Sequence, residues 1–246
     1  MLSHLEDLLN ARSIDEAWKL HVAAMAGFGF DRLIYGHTFE TGPEVGSVDD
    51  MLILSNHGAG YLDRFIGGGL FRDAPMLRWA GRQSGAASWS EIERNASLLT
   101  RREKEVVAFN RKMNVTAGYT ISFGPVAPCG RALISLTARA GLDQERVDAI
   151  WKGDGPRIEL LNQIAHLKIS TLPRARGSRR LTARQREVIR HLGDGKSSVE
   201  IAAIMGLSLV TVDKHLRLAR ERLGARSSAQ ALLKAALQDH IFLSDP

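Results

Sequence analysis

Glycines and hydroxyl side chains punctuate the last quarter of this 246-residue chain so closely that only short helices fit there. Thr182 is placed to cap a helix over 183–193, which Gly193 and Gly195 end. Ser197, with Glu200 three residues on, has the spacing of a capping box and opens a second helix. That helix carries Ile201, Ala202 and Met205 and stops at Gly206. Ser208 opens a third, which runs to Leu223 before Gly224. A fourth, over 227–239, is apolar at Ala231, Leu232, Ala235 and Ala236. Two short helices joined by a tight turn containing glycine, the second followed by basic residues, make a helix-turn-helix.

The third helix separates into two faces. Val212, Leu216, Ala219 and Leu223 recur at i, i+4, i+7 and i+11 and form its buried stripe. At about 100° per residue the opposite face shows Val210, Lys214, Arg217 and Glu221, flanked by Thr211, Asp213 and Arg220. Such a helix can lie in a major groove with its first turns on base edges. Lys214 and Arg217 suit guanine edges, and Thr211 or Val210 a thymine methyl. Ser208, Lys196 and Arg222 are placed for phosphates. Charge agrees, because residues 174–240 hold 14 Lys and Arg against 6 Asp and Glu, while residues 1–173 hold 19 against 20. The excess of positive charge therefore marks a nucleic-acid-binding tail on a nearly neutral body.

The body mixes helix and strand. Helices are expected over 3–9 and 13–27, the second opened by Ser13 with Glu16 three residues later. Strand-like runs follow at 31–38 and 51–55, separated by TGPEVGSVDD. Short helices fit 60–66 and 75–82, with a mobile lid at Gly67–Gly69, and one long charged helix fits 91–113. Two more strands, 119–123 and 132–138, are joined by GPVAPCG. From 143 to 170 helix returns, with a break expected at GDGP, 153–156. Its stripe of Ile158, Leu161, Ile164, Ala165 and Ile169 faces either its own sheet or a second subunit. The aperiodic LPRARGSRR, 172–180, reads as a linker. The expectation is α+β: an N-terminal α-β-α sandwich with an antiparallel sheet over 1–171, the linker 172–180, and an all-α four-helix head over 181–246.

The single cysteine, Cys129, rules out an internal disulfide. The N-terminus lacks a basic, then apolar, leader pattern, and no apolar run reaches the ~20 residues of a membrane span. The expected location is the cytoplasm, with no membrane partner. His37, His57 and His166 do not have metal-ligand spacing, so no metal is expected. No G-x-S-x-G or H-E-x-x-H pattern suggests an enzyme.

The stretch LTARQREVIRHLGDGKSSVEIAAIMGLSLVTVDKHLRLARERLGARSSAQALLKA resembles the C-terminal head of the LuxR family. The resemblance is carried by Leu181, Thr182, Arg184, Val188, Gly195, Lys196, Glu200, Ile201, Ala202, Ser208, Thr211, Val212, His215, Leu216, Leu223 and Gly224. On this basis His215 joins the DNA-contacting set of Lys196, Ser208, Val210, Thr211, Lys214, Arg217, Arg220 and Arg222. Gln185 stands where glutamate is usual, which softens a structural contact, and Asp213 where a basic residue is common.

The N-terminal part is similar, more weakly, to the autoinducer-binding domain of quorum-sensing LuxR regulators. The resemblance implies a ligand site at His57, Tyr61, Phe65, Asp73, Trp79, Trp89, Thr120 and Thr137. Tyr61 occupies the place of a lactone-binding tryptophan and Phe65 that of a tyrosine. The family's Asp-Pro pair becomes Asp73-Ala74-Pro75, so the carboxylate is either lost to Ala74 or displaced by one residue. Gly118 and Thr120 keep the family strand, with Ser122 in place of proline. The resemblance thus implies no cofactor, but an N-acyl-homoserine lactone or related hydrophobic signal, a homodimer, and a roughly palindromic DNA operator. Unpaired ligand polar groups would cost ~1–3 kcal/mol each, which argues against a short standard lactone. A regulator that works without ligand, or under a partner protein, remains the alternative.

Overall fold

The computed structural model describes residues 2–38, 51–124, 131–172 and 181–237. Cys129, most of the GPVAPCG loop, the TGPEVGSVDD turn, nearly all of the expected linker and the last residues of the fourth head helix lie outside them. The chain divides into two compact units, Met1–Leu172 and Pro173–Pro246.

In the first unit, α1 (Leu2–Asn10) and α2 (Ile14–Ala26) precede β1 (Phe30–Thr38) and β2 (Met51–Ser55). Then come α3 (Ala59–Leu62), a π-helical turn over Asp63–Gly67, a 3-10 turn over Leu70–Asp73 and α4 (Pro75–Ala80). β3 (Gly85–Ser88), α5 (Ser90–Arg94), α6 (Arg101–Lys112), β4 (Gly118–Phe123), β5 (Arg131–Ala138) and α7 (Gln144–Thr171) complete it. The five strands form one antiparallel sheet in the order β2-β1-β5-β4-β3.

The period of two along each strand builds two different faces. Leu33 and Tyr35 of β1, Ile121 and Phe123 of β4, and Ile134 and Leu136 of β5 share a core with Trp18 and Met25 of α2 and Ile158 and Leu161 of α7. Ile34 and Ile53 point the other way, into a second cluster with Tyr61, Phe65, Phe71, Val106 and Val115. Helices thus cover both faces, which is the expected α-β-α sandwich.

The structure departs from the sequence reading at several points. GDGP does not interrupt α7, which runs unbroken through Pro156. Gly155 is buried, and a Cβ there would lie 2.8 Å from the Trp151 indole, which stacks on Tyr119 at 3.8 Å. Packing on the sheet outweighs the one helical hydrogen bond that proline removes. The expected 91–113 helix is two helices: Thr100 and Glu103 form a reciprocal capping box that starts α6 afresh. β3 is a strand without strand-forming residues, Gly-Ala-Ala-Ser, held by its pairing with β4. Gly68 N donates to Asp63 O at 2.8 Å and Gly69 N to Ile66 O at 3.0 Å, so Gly67–Gly69 lie in a hydrogen-bonded turn. Of the α7 stripe, Ile158, Leu161, Ala165 and Ile169 are buried within their own unit, so that stripe faces its own sheet.

The second unit packs α8 (Ala183–Gly193), α9 (Ser198–Met205), α10 (Leu209–Leu223) and α11 (Ser228–Leu237) around Val188, Ile201, Val212, Leu216, Ala219 and Ala231. Thr182, Ser197 and Ser208 cap α8, α9 and α10, and the first two form complete capping boxes. Gly206 and Gly224 end α9 and α10 at φ of 64° and 58°, the left-handed conformation in which a Cβ is strained.

Candidate functional site: a lined cavity and a recognition helix

Between the second face of the sheet and the α3–α6 layer lies a cavity of about 430 Å³. This is within the range of small-molecule sites. Ile34 and Gly36 of β1 and Leu133, Ser135 and Thr137 of β5 form its floor, as alternate residues of strands whose other face makes the core.

His57, Tyr61, Phe65, Trp89 and Thr137 all line it. Tyr61 stacks between His57 at 4.5 Å and Phe65 at 5.0 Å, and its hydroxyl donates to Asn110 Oδ1 at 3.0 Å. Burial raises its phenol well above the usual range, so it stays neutral. Because Asn110 takes the phenolic proton, the oxygen faces a ligand chiefly as an acceptor. His57 Nε2 lies 3.4 Å from Thr137 Oγ1, and burial, followed by nearby Arg32, pulls its pKa down to about 4. It is a neutral ring at neutral pH.

Trp89 sits where its carrier geometry is fixed from below. Its Nε1 donates to Thr120 Oγ1 at 2.9 Å, and its backbone N donates to Gly118 O at 3.1 Å. A Cβ on Gly118 would meet Trp89 at 3.0 Å and Leu136 O at 2.2 Å, so only glycine fits beneath the indole. Thr120 is fully buried and supports Trp89 and Ser135 rather than lining the cavity.

Asp73 and Trp79 are also absent from the lining. Asp73 ends the 3-10 turn, and it is Ala74 that faces the cavity; Trp79 donates to Gln83 Oε1 at 3.1 Å. Sequence reasoning missed Asn110, Gln144 and five lining arginines. These come from six separate segments, and no spacing within any one of them announces the cavity. Gln144 alone carries a local signal, at the first position of α7; its amide clamps Gly118, accepting from the backbone N at 2.9 Å and donating to Asp148 at 2.8 Å.

In the head, Val210, Lys214, Arg217 and Glu221 form the exposed face of α10, with Val210 78% exposed. Ser208 Oγ accepts from Thr211 N at 3.2 Å and lies 2.8 Å from Thr211 Oγ1, so the two residues together hold the start of α10. Lys196 is exposed ahead of α9. Arg217 Nη1 donates to Glu221 at 2.6 Å, whereas Arg222 is turned onto Gln185 Oε1 at 2.9 Å. Arg220 and His215 are half-buried, and His215 Nδ1 is enclosed without a partner among the described residues. Gln185 is buried and completes the Thr182 capping box.

Comparison with known proteins agrees with both units. Residues 13–169 match the family described as autoinducer binding domain, and residues 179–235 match bacterial regulatory proteins, luxR family. Transcriptional activator protein BjaR1 of Bradyrhizobium diazoefficiens is 27% identical over 236 residues, which cover 95% of this chain and 93% of the relative. The crystal structure of Escherichia coli SdiA aligns with a TM-score of 0.61 at 15% identity, covering 99% of this chain and 98% of that one. SdiA in complex with octanoyl-rac-glycerol aligns at 0.57 and 15% identity, covering 96% and 93%. Among the described residues no helix is long and apolar enough to cross a membrane. The luxR-family description and the name of BjaR1 are those of transcriptional regulators, not of enzymes. With an autoinducer binding domain ahead of a helix-turn-helix head, the chain belongs to the luxR family of bacterial regulatory proteins.

Proposed function

We propose that the chain is a dimeric, cytoplasmic transcriptional regulator whose DNA binding is controlled by a small, largely hydrophobic signal. The observation that carries this reading is the aromatic-lined cavity of about 430 Å³ in the same chain as the exposed recognition face of α10. A cavity of that size, lined by Ile34, Tyr61, Phe65, Phe71 and Leu133, stabilises a bound apolar chain by ~0.8 kcal/mol per buried CH₂. Ala74 offers no acceptor to a ligand amide, and Tyr61 has spent its proton on Asn110. Both features support a ligand other than a short standard acyl-homoserine lactone. The neighbour SdiA, solved with octanoyl-rac-glycerol, is an example of this fold with an acyl ligand that is not a lactone.

On the DNA side, Lys214, Arg217, Thr211 and Val210 would read base edges, with Lys196 and Ser208 on phosphates. A dimer would present two such faces to half-sites about one helical turn apart. Domain limits of 1–171 and 181–246, joined by 172–180, would let ligand occupancy change how the heads are presented.

The test is to express the chain with and without a panel of acyl-homoserine lactones and acyl glycerols, and to extract the purified protein for mass analysis. Co-purification of one compound, with a rise in soluble yield and in operator affinity, is expected. A soluble, empty protein whose DNA affinity ignores every compound would defeat ligand control and leave a ligand-independent regulator.

A further inference from the structure

The cavity carries a charge distribution that a neutral signal would leave unused. Arg72, Arg78, Arg82, Arg111 and Arg131 line it against a single carboxylate, Glu93, among the described lining residues. Two of the five are matched: Arg78 by the buried Glu103 at 3.1 Å, and Arg111 by Glu93 at 3.7 Å. Arg72, Arg82 and Arg131 have no carboxylate partner among the described residues. Arg131 Nη1 donates to the carbonyl of Gly81 at 2.6 Å, which sets its guanidinium beside the residue that precedes Arg82. That bond uses one of the five N–H donors a guanidinium offers. All three side chains are exposed at the cavity's edge, while Tyr61, Phe65 and Phe71 inside it are buried.

A solvated rim explains the exposure of any one arginine, but not three uncompensated guanidiniums at the edge of one cavity whose interior holds buried aromatics. Same-sign charges around a low-dielectric opening focus their field on whatever enters. The guanidinium fork matches a carboxylate in two parallel hydrogen bonds. We propose that the ligand is an amphiphile with an anionic head, its apolar body among the buried aromatics and its carboxylate at Arg82 and Arg131, with Arg72 adding to the field. This rests on the reading of the cavity as a signal site and names the chemical class of the signal.

The test titrates the full chain with N-octanoyl-homoserine, a carboxylate, and with N-octanoyl-homoserine lactone, its neutral ring-closed form. The acid should bind at least tenfold more tightly at low salt, with an advantage that shrinks as salt screens it. Arg82→Gln removes a side chain with no hydrogen bond among the described residues and should weaken the acid by up to about fivefold, the reach of one exposed pair. It should leave the lactone unchanged, and Arg82→Gln with Arg131→Gln should abolish the preference. Glu40, Glu44, Asp49 and Asp50 fall in the sequence between Thr38 and Met51, both of which line the cavity. A variant with all four as amides is therefore titrated alongside; a preference for the acid that emerges only there overturns the proposal. Lactone binding as tight as acid binding overturns the anionic head and spares the signal site, whereas failure of both compounds, and of decanoate, overturns both.

Discussion

Arg222 of α10 donates to the side-chain oxygen of Gln185 on α8 at 2.9 Å, and the same oxygen accepts the backbone N–H of Thr182 at 2.9 Å. One buried amide therefore ties the start of the first head helix to the end of the recognition helix. Gln185→Ala removes both bonds and should destabilise the second unit by about 1–2 kcal/mol, read by urea unfolding of the full chain. Gln185→Glu keeps both acceptors and adds charge attraction to Arg222, so its midpoint should equal or exceed that of the unaltered chain at pH 7. A glutamate variant as unstable as the alanine one would contradict the acceptor role.

Arg217 is held by Glu221 before DNA arrives. Arg217→Ala should cost about 1–3 kcal/mol against the cognate site and little against random duplex. Lys196→Ala should weaken both and reduce the slope of log affinity against log salt by about one. Fluorescence anisotropy across a salt series separates the two; an Arg217→Ala protein with unchanged cognate affinity would remove that residue from the reading face.

Two glycines of α7 make opposite predictions. A Cβ on Gly155 would sit 2.8 Å from the Trp151 ring, whereas one on Gly153 would meet nothing within 4 Å. Gly155→Ala should push Trp151 off Tyr119 and destabilise by about 1–3 kcal/mol. Gly153→Ala should stabilise by about 0.4–1 kcal/mol. Tryptophan fluorescence during denaturant unfolding reports both, and equal signs for the pair would show that the stack does not constrain α7.

Buried histidines set an acid limit. Burial lowers the pKa of both His57 and His21 to about 4 from 6.5. Well above pH 6.5 both are neutral, folded or unfolded, and contribute no pH dependence. As pH falls from 6.5 to 4 the unfolded chain takes up protons that the folded one refuses. Each histidine can then reduce stability by at most about 1.4 kcal/mol per pH unit, until the loss levels off below 4. His57→Gln should flatten the stability profile between pH 6.5 and 4, as measured by chemical denaturation at half-unit intervals. An unaltered slope would mean that the ring is already charged in the fold.

The parts of this fold legible in the sequence are those whose signals are local. Ser13, Ser197 and Ser208 cap helices where their spacing says, and the alternation in 31–38 and 132–138 marks two central strands. Signals that depend on distant partners were misread. Gly155-Pro156 looks like a helix break until Trp151 is seen to occupy the space beside the glycine. Gly85–Ser88 has no strand chemistry of its own and exists because β4 pairs with it. In the cavity, the aromatic residues near Tyr61 follow from one stretch of chain, but Arg72, Arg82 and Arg131 line one cavity only after β5 is laid into the sheet. Asp73 and Ala74 show the resolution limit of motif matching, since one residue of offset decides which side chain faces the cavity.

The strands β1 and β5 put Leu33, Tyr35, Ile134 and Leu136 on one face and Ile34, Leu133, Ser135 and Thr137 on the other. Substitutions at Leu133 or Ser135 can therefore change what a signal meets while the alternate residues keep the main core packed. Drift in ligand taste and persistence of architecture become separately heritable traits of the same short segments.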